Sequence, residues 1–141
     1  MAASAKGDRP DLDPQEHWDR IYTTKPVDGV SWFRPHLERS LTLIERADPH
    51  HSASIVDIGG GHSTLIDDLV KSGRTDLTVL DISQAALDLA RARVEQESNC
   101  PSINWLRADI TSVELPPSRF DIWHDRAVFH FLTAEQERKA Y

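Results

Sequence analysis

The sequence predicts a doubly wound α/β domain, and three observations carry that expectation. From Ser52 onward, short apolar runs alternate with amphipathic helical stretches, the pattern of parallel strands joined by crossover helices. The first run, Ile55-Val56-Asp57-Ile58, breaks at Gly59-Gly60-Gly61, and the next run ends in Asp81. The chain has 141 residues, 39% hydrophobic and 28% charged, which suits one soluble domain around one core.

The elements follow in order. Residues 1–12 are polar and Pro-interrupted and are expected to be a disordered tail, leaving 13–141 as the domain. A helix is predicted from Asp13-Pro14-Gln15-Glu16, with Asp13 as cap, Pro14 at the first helical position and Glu16 completing a capping-box-like pattern. It carries Trp18, Ile21 and Tyr22 on one face and fades by Pro26. A turn at Val27-Asp28-Gly29 leads to Trp32-Phe33, and a second helix begins at Pro35 with Leu37, Leu41 and Ile44 as its apolar stripe. Ala53 to Ile58 reads as a buried strand, Thr64 to Lys71 as a helix stopped by Gly73, and Leu77 to Leu80 as the second strand. Ser83 caps a helix through Glu97 that buries Ala86, Leu87, Ala90 and Val94. A third strand is expected at Ile103 to Leu106, a fourth at Phe120 to Trp123, and a last helix with a capping box opens at Thr133-Ala134-Glu135-Gln136.

Composition excludes several function classes. With 16 Lys+Arg against 23 Asp+Glu the formal net charge is −7, which argues against non-specific binding to nucleic acid or an anionic membrane. No apolar run approaches the roughly 20 residues that span a bilayer, and the first residues carry no apolar signal core. The single cysteine, Cys100, excludes an internal disulfide and sits beside Pro101 without a base partner. These features fit a reducing cytoplasm. His50, His51 and His62 have no second ligand cluster at metal spacing, so no metal site is expected.

The first crossover carries the chemistry. Glycines between a buried strand and a helix let a ligand approach the backbone, and the helix start offers free N–H groups; a plain tight turn would look the same. Asp81, 22 positions after Gly59, ends the next strand beside that turn, where a carboxylate accepts from ribose hydroxyls. Asp109 follows the third strand on the same edge, placed to accept from an adenine amino group, with Ile82 or Ile110 against the ring. A dinucleotide fingerprint would want Gly or Ala at Thr64, and Asp57 would repel a pyrophosphate. An acid before the turn suits a cationic ligand instead.

These residues resemble the class I S-adenosylmethionine-dependent methyltransferases, whose D/E-x-G-x-G-x-G pattern matches Asp57, Gly59 and Gly61, with Ser63 where the third glycine often stands. The family's acids after the second and third strands match Asp81 and Asp109. The segment Trp18-Asp19-Arg20-Ile21-Tyr22, with Trp32-Phe33, is similar to a bacterial-type branch with a W-D-x-x-Y helix before the domain. The resemblance implies a Rossmann-like methyltransferase fold and S-adenosyl-L-methionine as cofactor, held by Asp57, Gly59, Gly60, Gly61, Asp81, Ile82, Asp109 and Ile110. It implies methylation of a small-molecule or protein acceptor. A non-catalytic module that binds the same cofactor is the alternative, and a nicotinamide-dependent oxidoreductase is a third reading.

In the family's sheet order the fourth strand lies beside the first, so its end faces the acceptor. His124 and Asp125 are the candidates for a base or an acceptor-positioning group, although His124 also suits ordinary hydrogen bonding. Arg126 is a candidate partner for an acceptor carboxylate, and His130, between two phenylalanines, for lining the acceptor pocket. Trp18, Tyr22 and Trp32 would lid the cofactor or simply anchor the core, and Arg20 would reach the cofactor's carboxylate. Only about the first four strands of a seven-stranded family fold are present by Tyr141. The domain is therefore expected to be incomplete at its C-terminus, with Ile122, Trp123, Phe129 and Phe131 on an open edge prone to self-association.

Overall fold

A computed structural model describes residues 13–24 and 36–141. Helix α1 spans Pro14–Thr24 and α2 Glu38–Ala47. Then come β1 (Ile55–Ile58), a single 3-10 turn (Gly60–His62), α3 (Leu65–Lys71), β2 (Leu77–Asp81), α4 (Gln84–Val94) and β3 (Asn104–Arg107). The chain closes with β4 (Ile122–Asp125) and the short helices α5 (Val128–Phe131) and α6 (Glu135–Ala140). The expected tail at 1–12, the turn at 27–29, the pair Trp32-Phe33 and the helix start at Pro35 lie outside the described residues.

The sheet has four parallel strands in the order β3-β2-β1-β4, the Rossmann-like α/β arrangement. Its central strands are buried on both faces: Ile55, Val56, Asp57 and Ile58 of β1 are each at most 2% exposed, as expected where crossovers cover a parallel sheet. On one face Ile55, Leu77 and Val79 pack with Leu37 and Ile44 of the α2 stripe, Leu65 and Leu69 of α3, and Leu87 and Val94 of α4. On the other, Val56, Ile58 and Leu80 pack with Ile110, Val113 and Leu115 of the loop after β3, and with Val128 and Tyr141. Each fully buried aliphatic side chain contributes about 1.5–3 kcal/mol. β4 is an edge of this sheet, and Trp123 (45% exposed), Phe129 and Phe131 (both 48%) stand beside it.

Capping explains most boundaries. Asp13 Oδ1 accepts from the Gln15 N–H at 3.2 Å and starts α1, and Ser83 Oγ accepts from the Ala86 N–H at 3.2 Å and starts α4. Helix α4 ends at Val94 rather than Glu97: its apolar stripe stops there, and Asn99 takes a left-handed φ of 65°. β4 begins two residues later than expected. Asp121 is clasped to Ser54 before pairing starts, its N–H donating to Ser54 O at 2.9 Å and its Oδ2 accepting from the Ser54 N–H at 2.9 Å, so Phe120 packs as loop and Ile122 opens the strand. The last helix is capped at Ala134, not Thr133, with Glu137 Oε2 accepting from the Ala134 N–H at 3.0 Å.

The strand ends opposite the cleft are tied by Arg74, 1% exposed. It donates to Asp48 Oδ2 at 2.5 Å, to Asp48 O at 2.9 Å and to Glu45 Oε2 at 3.3 Å, joining the end of α2 to the segment before β2.

Candidate cofactor and acceptor cleft

The carboxyl ends of β1, β2 and β3 open into one cleft of about 250 Å³, where α/β sheets of this kind bind ligands. Asp57, Gly59, Asp81, Ile82, Asp109 and Ile110 line its floor. Trp18, Tyr22, Leu37, His124 and Phe131 are among the residues of its other walls, and Arg126 lies on it as well.

The glycine turn is built by exclusion. Gly59 has φ +67°, and a Cβ there would come within 2.2 Å of the Val128 side chain. A Cβ on Gly60 would meet the Asp57 carboxylate at 2.4 Å, and one on Gly61 would meet Ala86 Cβ at 2.6 Å. Gly60 and Gly61 are buried behind the cleft surface, so they shape the turn while Gly59 faces the ligand space. Gly61 also donates its N–H to Asp81 Oδ2 at 3.0 Å, and Ser83 donates its N–H to Asp81 Oδ1 at 2.9 Å. Burial pushes the Asp81 carboxyl up to about 6, against those two bonds. Asp109 closes its own turn, accepting at Oδ1 from the Thr111 N–H and hydroxyl at 2.8 and 2.7 Å.

Asp57 and His124 form a buried pair, their side chains 3% and 11% exposed. His124 Nδ1 lies 2.7 Å from Asp57 Oδ1 and Nε2 lies 2.9 Å from Ser40 Oγ on α2, while Asp57 Oδ2 is buried without a hydrogen-bond partner. Burial raises the Asp57 carboxyl, against the bond from His124. Burial also works against the His124 imidazolium, but the bond to Asp57 and its charge outweigh it and hold the ring above its ordinary value.

The remaining candidates fall elsewhere. Asp125 is absorbed in its own turn: it accepts from the N–H groups of Ala127, Val128 and Phe129 at 2.9, 2.8 and 3.1 Å and from the Tyr141 hydroxyl at 2.5 Å. His130 is exposed against Phe131, with ring centroids 5.8 Å apart, and does not line the cleft. Arg20 is exposed and also lies off it. Trp18 stacks on Tyr22 at 5.9 Å and meets Phe131 edge-on at 5.3 Å, so these rings both pack together and wall the cleft. No group of acidic, histidine or cysteine side chains among the described residues is arranged to hold a metal ion, and no described helix is long and apolar enough to cross a membrane.

Two contributors are not singled out by sequence reasoning. Ser40 is the polar residue on the Leu37-Leu41-Ile44 face of α2, and a lone hydroxyl on an apolar stripe is the signal that could have found it. Asp19 lies inside the W-D-x-x-Y segment and accepts from the Ser83 hydroxyl, fastening α1 to the cap of α4.

The site is thus a glycine turn after the first strand of a parallel α/β sheet, with an acid at or just beyond the end of each of the first three strands. A family model described as a methyltransferase domain matches residues 55–141; the chain belongs to that family, the class I S-adenosylmethionine-dependent methyltransferases. It is similar to the EEF1A lysine methyltransferase 2 of Danio rerio, 28% identical over 134 residues, covering 89% of this chain and 57% of that protein. The mouse (Mus musculus) protein of that name is 26% identical, covering 92% of this chain and 58% of its own length. The eEF1A lysine and N-terminal methyltransferase of Bos taurus is 23% identical over 88% of this chain but only 17% of its own length. The chain thus spans between about a sixth and three fifths of these relatives.

Proposed function

We propose that this chain binds S-adenosylmethionine in the cleft and serves methyl transfer to an amine of a protein acceptor. The observation that carries the reading is the convergence of Asp57, Asp81 and Asp109 on one cleft beside Gly59. The fit to the cofactor rests on that donor set. Carboxylates accept from ribose hydroxyls and amino groups, Ile82 and Ile110 offer apolar surface to a flat base, and the orphaned Oδ2 of buried Asp57 favours a cation nearby. When bound, the cofactor supplies an activated methyl group on a sulfonium. The protein's part is then orientation and exclusion of water, which for an in-line displacement supply most of the acceleration. His124 has both ring nitrogens engaged and its proton held by Asp57, so it is assigned to positioning; Asp125 is assigned to capping the turn after β4. A protein amine as acceptor is supported by the names of the relatives above, and a small-molecule acceptor is the second outcome of the test.

The test uses methyl-tritiated cofactor with purified translation elongation factor 1A and, separately, a protein-free metabolite extract. Label in protein supports the reading, and label only in small molecules overturns the acceptor class. Division of roles is checked by calorimetry of S-adenosylhomocysteine binding. Asp81→Ala is expected to weaken binding by about 30-fold or more, since it removes charged hydrogen bonds worth about 1.5–3 kcal/mol each and frees the Gly61 N–H. His124→Ala is expected to weaken it several-fold less. Equal losses would refute this division.

A further inference from the structure

Ser40, His124 and Asp57 form a polar network beside the cleft that ribose or base recognition leaves unexplained. It joins three distant segments: α2, the end of β4 and the end of β1. A histidine held only for packing would not need both ring nitrogens bonded. Nor would a carboxylate held only for packing be left with one buried oxygen unpartnered.

We propose that His124, seated on Ser40, is a positioning residue that keeps Asp57 charged under the glycine turn, and that the pair makes the cleft distinguish a cationic nucleoside from its neutral analogue by giving up a proton. The inference rests on the cofactor class argued above. With the cleft empty of charge, the imidazolium compensates the buried carboxylate: Nδ1–H donates to Asp57 and Nε2–H to Ser40 Oγ. A cation in the cleft comes near the same carboxylate: Asp57 is one of the residues that line it, although its Oδ2 is buried beside Gly60. The imidazolium and the ligand's cation then compete for the Asp57 carboxylate and repel each other in a low-dielectric surrounding, where Coulomb terms are large. The balance is restored when the His124 proton leaves to water; Nδ1–H still donates to Asp57, and Nε2 now accepts from the Ser40 hydroxyl. A neutral ligand imposes no such exchange.

The groups facing His124 among the described residues are Asp57 on β1, Ser40 on α2, and Asp125 and Arg126 on its own strand and the turn after it. Asp81 on β2 acts on the pair through Asp57. Asp57 and Asp125 favour the imidazolium, whereas Arg126 and burial oppose it. The resting ring therefore carries its proton above the ordinary histidine value, and a cationic ligand draws that midpoint down.

The consequence bears on turnover. S-adenosylmethionine carries a net positive charge that S-adenosylhomocysteine lacks, so donor binding expels the proton and product formation lets it return. The returning imidazolium re-compensates Asp57 and removes its preference for retaining a ligand.

The test is histidine NMR on the full chain. The His124 ring resonance, one of seven histidines, is identified as the signal missing in His124→Gln; if that variant does not fold, Ser40→Ala identifies it as the signal most displaced. Its titration is followed alone, with S-adenosylmethionine and with S-adenosylhomocysteine. The cationic ligand is expected to lower the midpoint by about one pH unit, equivalent to about tenfold tighter binding to the deprotonated form, and the neutral one to move it by less than about 0.3 unit. Calorimetry in buffers of different ionisation enthalpy should show matching proton release for the cationic ligand alone. Equal shifts from both ligands, or none from either while both bind, overturn the proposal and leave the cofactor reading intact. Binding of neither ligand removes the cofactor reading, and this inference with it.

Discussion

Replacing Gly61 with alanine is expected to abolish cofactor binding and to destabilise the domain by about 1–3 kcal/mol, the range for forcing extra volume into a packed site. The added Cβ would lie 2.6 Å from Ala86 Cβ, 2.9 Å from Asp81 Oδ2 and 3.0 Å from the Ala86 carbonyl carbon. Neither the Ala86 methyl nor the backbone of α4 can swing away, so the helix or the turn must shift. Either movement breaks the 3.0 Å bond from the Gly61 N–H to Asp81 and carries the acid out of register with Gly59. Gly73→Ala is the control. Unlike Gly61, Gly73 has a positive φ, 84°, and nothing lies within 4 Å of the added carbon, so the cost is backbone strain alone, about 1–2 kcal/mol, with binding unchanged. Urea denaturation and calorimetric titration of both variants separate the two effects; an intact cleft in the Gly61 variant would refute the packing argument.

Arg74→Ala is expected to cost about 3 kcal/mol or more, since removing one partner of a buried ion pair leaves the other uncompensated. Arg74 is 1% exposed and supplies the guanidinium that faces Asp48 and Glu45. The acid limb of the stability curve should change as well. The bond from the Ala53 N–H, with those from Arg74 and Ser52, holds the Asp48 carboxyl down from 3.8 to about 2, against burial. A carboxyl with a lower value in the folded state stabilises the fold above its unfolded value, and that contribution disappears as pH falls through the folded one. Wild-type stability should therefore drop between about pH 4 and 2, and the drop should be shallower in the variant. Urea midpoints measured across that range provide the check; parallel curves would mean that Arg74 does not set the Asp48 charge.

The first half of the site was legible because local rules and the tertiary fold agree there. Ile55 to Ile58 is apolar except for the acid, three glycines follow, and Asp81 closes the next apolar run; each feature means the same in an extended peptide as in the sheet. The end of β4 was less legible. Phe120 has the side chain of a strand residue, but the Asp121–Ser54 clasp that delays pairing joins residues 67 positions apart. α5 is only four residues long, and the Asp125 carboxylate caps it. A sequence reader sees in that carboxylate a candidate base. The Ser40–His124 bond spans 84 positions, and its only local trace is a hydroxyl on an apolar face. Asp81 has a double role that spacing could not reveal, because it holds the backbone of the glycine turn as well as facing the cleft.

The central claim, a cleft for S-adenosyl nucleosides, is tested most directly by calorimetric titration of the purified chain with S-adenosylhomocysteine, with NADH as the comparison. Saturable binding of S-adenosylhomocysteine with none of NADH is the result this account requires. Binding of NADH alone, or of neither by a folded monomeric chain, would contradict it.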